Sequence, residues 1–245
     1  MKRSALALAL VLGACGTGAE TVDEVVANYL RARGGAERLR GVQTLRMTGR
    51  VVLPGIEAPL VLELKRPGKV RTEFTVEGQQ SVRAYDGQVA WVLPPVPGAP
   101  PRSVPPDQAD ELKAQADVDL SPLVDSEAKG FTVDLAGRES LPGGETWKLV
   151  VIGGTGSPRS LFVDVASHLV VRTEEVRTLE GKEMPFATEV SDYRTVDGLV
   201  YPHRLRSGPR DDPAAWQSVE IERIDVNPPL DDARFSPPKA ALPSP

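Results

Sequence analysis

Period-two alternation dominates the chain. In Leu45–Leu53 the positions Leu45, Met47, Gly49, Val51 and Leu53 are apolar or small, and Arg46, Thr48 and Arg50 fall between them. Pro59–Arg66 repeats the pattern, with Leu60, Leu62 and Leu64 against Glu63 and Lys65. Val70–Glu77 continues it, with Val70, Phe74 and Val76 against Arg71, Glu73 and Glu77. Alternation over successive segments predicts an antiparallel sheet with one wet face. Further strands are predicted at Ser81–Tyr85 and Val89–Leu93, flanking the Asp86-Gly87 turn. After residue 130 they are predicted at Phe131–Ala136, Thr146–Ile152, Arg159–Val165, Leu169–Arg177, Glu183–Tyr193, Leu199–Arg206 and Trp216–Val226. Pro142-Gly143-Gly144, Gly153–Ser157, Glu180-Gly181 and Asp197-Gly198 supply the turns between them.

Two helices interrupt this pattern. Val22, Val25, Val26, Tyr29 and Leu30 follow a helical stripe. Thr21 and Glu24 fit a capping box ahead of them, and Gly34-Gly35 ends the run. A second, weakly apolar helix is expected from Asp107 to Ala116, with Asp107 as its cap and Ala109, Leu112 and Ala116 on one side. Between sheet and second helix, seven of the thirteen residues in Pro94–Pro106 are proline, which predicts an extended loop outside the sheet. The sum is one mainly β (α+β) domain over residues 21–235, with about twelve strands. A proline-rich tail, 236–245, follows it.

The N-terminus changes the picture. Lys2 and Arg3 precede the apolar run Ala5–Leu12, which is too short to span a bilayer and fits a signal peptide. It ends in Leu12-Gly13-Ala14-Cys15, and Cys15 is the only cysteine, so no internal disulfide can form. This tetrapeptide closely resembles the bacterial lipobox. The resemblance implies a signal peptide at 1–14, acylation of Cys15, a tether over 15–20 and anchorage to an envelope membrane. Gly16, in place of an Asp, points to the outer membrane. Multiple acyl chains exceed what marginal one-chain anchoring supplies.

Charge and chemistry narrow the function mostly by exclusion. With 29 basic and 34 acidic residues the net charge is −5, and no block of like charge occurs, which disfavours nucleic acid. Gly153–Ser157 lacks the lysine of a phosphate loop. His168 and His203 have no metal-ligand spacing, so no metal or cofactor is expected. No nucleophile motif is present, and Asp117, Asp119 and Asp125 are a weak carboxylate cluster, so no catalytic residue is assigned. What remains is the apolar face of the sheet, which is either a closed core or the wall of a cavity.

Several stretches carry a family resemblance. They include Tyr29–Leu39 running into Val42–Gly49, Lys65–Arg71, Ala84–Gly87 with Trp91, Pro122–Asp125, Ser191–Tyr193, Val196–His203 and Asn227–Phe235. Together they resemble bacterial outer-membrane lipoprotein-sorting-protein-like proteins of the LolA/LolB-like superfamily, with the MucB/RseB-like branch more distant. The resemblance covers nearly all of the chain after Cys15. It implies a curved, incomplete antiparallel β-barrel of about eleven or twelve strands, with helices over its concave face. It also implies binding of an acyl chain or lipoprotein in an apolar cavity, in lipoprotein sorting or lipid transfer, without catalysis. The expected lining is Leu45, Met47, Leu62, Leu64, Phe74, Val76 and Trp91. The alternative is an envelope sensor or interaction module that meets a protein partner through an edge strand or the proline-rich loop.

Overall fold

A computed structural model describes residues 20–53, 55–76, 78–153, 158–179 and 182–238. Cys15 and the expected signal peptide lie outside these residues, with most of the expected tether, as do Glu77, the body of the Gly153–Ser157 turn, Glu180-Gly181 and most of the proline-rich tail.

All the strands belong to one antiparallel sheet. The first arm comprises β1 (Thr44–Leu53), β2 (Ile56–Lys65), β3 (Lys69–Val76), β4 (Gln79–Tyr85), β5 (Ala90–Leu93) and β6 (Arg102–Ser103). The second comprises β7 (Phe131–Leu141), β8 (Gly144–Gly153), β9 (Arg159–Asp164), β10 (Val170–Leu179), β11 (Lys182–Val196), β12 (Leu199–Pro209) and β13 (Gln217–Val226). Each arm is a meander, and they join where β1 pairs with β13, so the spatial order is β6 to β1, then β13 back to β7. The sheet is curled and open, with β6 and β7 as its edges. This is the expected incomplete barrel.

The thirteenth strand corrects one expectation. The proline-rich segment joins the sheet after all: Arg102–Ser103 pairs with Trp91 and Val92. No proline stands at either residue, so each amide remains free to donate, and a two-residue edge strand needs no more.

The helices form where expected and seal part of the concave face. Helix α1 (Val22–Ala32) begins at a capping box, in which Glu24 N–H donates to the Thr21 hydroxyl at 3.2 Å and Thr21 N–H to the Glu24 carboxylate at 2.8 Å. It ends at Gly34, whose φ of +107° only glycine tolerates readily. A side chain there would also strike the Gly198 carbonyl. A one-turn helix α2 (Ala36–Arg40) follows. Helix α3 (Pro106–Gln115) starts one residue earlier than expected, with Pro105 at the cap position and Pro106 in its first turn, so Asp107 is not its cap.

Two apolar clusters result on the inner face. One gathers Leu45, Met47, Leu60, Leu64 and Val70 beneath Leu112 and Ala116 of α3, together with Leu199, Tyr201, Ile221 and Ile224. The other packs Val25 and Tyr29 of α1 on Trp147, Leu149, Val151, Leu161, Val163 and Val170.

Candidate ligand-binding face

Register assigns each expected lining residue to a face. Leu45 lies opposite Leu64, Met47 opposite Leu62, Leu60 opposite Phe74 and Leu64 opposite Val70. Leu45, Met47, Leu62, Leu64 and Phe74 therefore share the inner face. Leu45 and Leu64 are wholly buried at 0% exposure, and Met47 is nearly so at 4%. Leu62 is only partly buried against that cluster. Phe74 is partly buried and belongs to neither cluster. Val76 closes β3, and only its backbone is described.

Trp91 does not share that face. It pairs with Ala84, which lies opposite Arg71, itself opposite Glu63, so all four stand on the outer side. There Trp91 packs with Val82, Ala84 and Leu93. The reason is the C-terminal segment, which crosses this face as a strap. Lys65 Nζ donates to the Leu230 carbonyl at 2.6 Å, Arg234 Nε to Glu63 at 2.7 Å, and Trp91 Nε1 to the Phe235 carbonyl at 2.7 Å. Glu63 is fully buried under this strap, between Arg234 and Arg46. Trp91 is thus an anchor for the strap and not part of the concave lining.

A polar seam separates the two inner clusters. Arg33, 2% exposed at the end of α1, donates to the Tyr29 hydroxyl at 2.7 Å and to the Asp119 carbonyl at 3.4 Å. Its guanidinium lies 5.7 Å from the Tyr29 ring centroid and 5.5 Å from that of Tyr201, cation–π contacts that help hold the charge. The Asp119 carboxylate takes Arg66 and Lys129, the latter at 2.9 Å, and Lys129 also binds Asp117 at 2.7 Å. Burial pushes the Asp117 carboxyl up, against the opposing pull of Lys129. Asp125, the third member of the acidic cluster, is held down by a bidentate pair with Arg40. These carboxylates are thus tied to basic side chains in ion pairs. No group of three or more metal-ligating side chains occurs among the described residues. His203 is buried with Nδ1 3.1 Å from the Tyr201 carbonyl, and His168 sits in the β9–β10 turn.

Two phenols, Tyr193 and Tyr201, titrate late. Burial pushes Tyr201 from its ordinary 10.0 up to about 12 and pushes Tyr193, which donates to the Val170 carbonyl at 2.6 Å, up as well. A raised folded value favours the neutral phenol, so this contribution is complete below pH 10 and is lost as pH rises from there through the folded value. Stability is expected to fall above pH 10 by about 1.4 kcal/mol per pH unit for each such tyrosine. In tyrosine absorbance at 295 nm, Tyr193 and Tyr201 should ionise well above pH 10; their ionisation near pH 10 with the fold intact would contradict the seam.

Beyond the helices the concave face is only partly covered among the described residues. Val51 and Val219 pair across β1 and β13, Val219 and Leu205 across β13 and β12, and Leu205 and Val190 across β12 and β11. These positions, with Leu53 and Phe74, form a continuous apolar strip toward the β1–β2 turn. Each is only partly covered, and of them only Val219 packs against a core cluster. Gly49 makes the curl possible here, since any side chain would strike the Glu220 backbone at the β1–β13 bulge. Sequence reasoning missed Val190 and Leu205, although Tyr201, His203 and Leu205 alternate within their strand. By contrast, a cleft of ≈ 250 Å³ near Arg50 is lined largely by charged residues, and one of ≈ 370 Å³ by Arg50, Glu57 and Glu222 together with Gly49, Ala58 and Pro59.

No family model matches the sequence, and no curated protein matches it significantly. Solved structures do match its fold. A DUF1329 family protein from Desulfovibrio piger superposes with a TM-score of 0.59 at 14% identity, covering 89% of this chain and 98% of that one. A putative outer membrane lipoprotein-sorting protein domain from Vibrio parahaemolyticus gives 0.57 at 10% identity, with coverages of 86% and 94%. A LolA superfamily protein from Nitrosomonas europaea gives 0.56 at 13% identity, with coverages of 89% and 98%. At these identities the likeness concerns fold alone, and in fold this chain matches the LolA-superfamily and lipoprotein-sorting-like proteins that its motifs resemble.

Proposed function

We propose that the protein is a lipid-anchored envelope component that holds an acyl chain, free or on a lipoprotein, against the open half of its concave face. Cys15 supplies the anchor in this reading, in the outer membrane, and lipoprotein sorting or lipid transfer is its role. The observation that carries it is the partly covered strip of Val51, Leu53, Phe74, Val190, Leu205 and Val219 beside a closed core. A sheet face left uncovered loses the burial that would otherwise stabilise it, and an acyl chain restores about 0.8 kcal/mol per methylene. The lipoprotein-sorting name of one protein with this fold points the same way.

A second reading follows from β7, whose eleven residues pair, among the described residues, with β8 alone and so offer an edge for strand addition by a protein partner. Mass spectrometry of the organic extract from gently purified protein carrying Cys15→Ala separates the two. The acyl reading expects near-stoichiometric lipid; a lipid-free extract with a stoichiometric protein partner would replace it with the second.

A further inference from the structure

The open half of the concave face has unequal walls. Its β1–β3 side ends in Leu53 and Phe74. Its β9–β11 side carries, among the described residues, Arg159 and Arg177 beside the carboxylate of Glu175. Register fixes their side of the sheet. Arg159 lies opposite Val151, whose side chain is buried with the α1 cluster. Arg177 lies opposite Met184 and Glu175 opposite Phe186, all on the same face as Leu161 and Thr173. Glu175 is shared: Arg177 Nε donates to it at 2.6 Å, and Arg159 Nε stands 3.9 Å from its other oxygen. The Arg177 guanidinium lies 4.3 Å from the Phe186 ring centroid, stacked on apolar surface. Arg159 and Arg177 are about one-third exposed, with side chains at 29% and 33%.

Among the described residues, one carboxylate between two arginines leaves positive charge at the edge of an apolar trough. A neutral tail in the trough would leave that charge unanswered, whereas a forked guanidinium matches phosphate oxygens in geometry and sign. We infer that the occupant of the trough is an anionic phospholipid. Its acyl chain lies along Val51, Val219, Leu205 and Val190, and its phosphodiester meets Arg177 and Arg159. This inference rests on the acyl-chain reading above and narrows it to one head-group chemistry.

The test is competitive displacement of a fluorescent fatty acid from the full chain carrying Cys15→Ala. The competitors are lysophosphatidylglycerol, lysophosphatidylcholine, a monoacylglycerol and a fatty acid, all of one chain length. Lysophosphatidylglycerol is expected to displace the probe at about tenfold lower concentration than the two lipids without net charge, a preference weakened by salt. In Arg159→Gln/Arg177→Gln the preference should collapse while displacement by monoacylglycerol stays unchanged. Equal displacement by every head group would overturn the inference and leave acyl binding standing. So would a fatty acid that outcompetes the phosphodiester, or a preference that survives in the double variant. If neither probe nor competitor binds, the acyl-chain reading itself fails.

Discussion

Asp119→Ala is expected to destabilise the fold by about 3 kcal/mol, the cost of leaving charges unpaired inside a protein. Asp119 is 2% exposed and joins three parts of the molecule, two through its carboxylate and one through its backbone carbonyl. Arg66 reaches it from the β2–β3 turn, Lys129 from the segment before β7, and the Asp119 carbonyl accepts from Arg33 of the α1 end. Removing the carboxylate leaves Arg66 without that partner and Lys129 with Asp117 alone. Arg66 and Lys129 remain partly exposed, at 30% and 22%, so water offsets some of the loss and the lower end of the range for broken buried pairs applies. A domain of this size should lose about 6–12 °C in Tm. Calorimetry of Asp119→Ala, and of Asp119→Ala combined with Lys129→Met, measures both loss and coupling. A change within about 0.5 kcal/mol would show that the seam is only a solvated surface.

The second large effect separates core from binding face. Leu64→Ala removes a side chain at 0% exposure, packed in the cluster beneath α3. It should cost about 3 kcal/mol through lost burial and the cavity left behind. Acyl binding by the folded fraction should stay unchanged. Leu205 stands on the same face in the open half and is only partly buried. Leu205→Asp should change stability far less, yet its carboxylate would meet an incoming acyl chain.

The contrast shows how far the sequence could be read. Alternation in Leu45–Leu53, Pro59–Arg66 and Val70–Glu77 revealed the strands and their apolar sides, because the side-chain period of two is local. The capping box at Thr21 and the stop at Gly34 are local too, and α1 forms with those ends. Two features were not legible. Trp91 lies on the outer face, buried because a segment about 140 residues later, at Phe235, covers it. The division between closed core and open trough depends on where α3 and the loop through Asp119 settle, a matter of long-range packing. Arg33 reads in sequence as an ordinary basic residue near a helix end. Its burial follows only from the encounter of α1 with Tyr201 and Asp119.

In the proposed function the concave face is closed core beneath α3 and an acyl-binding trough beyond it. Titration of Leu205→Asp and Leu64→Ala with a fluorescent fatty acid, beside the unaltered trough, tests this most directly. The account predicts affinity lowered about tenfold or more in Leu205→Asp and unchanged in folded Leu64→Ala. Unchanged affinity in a folded Leu205→Asp, or loss confined to Leu64→Ala, would contradict it.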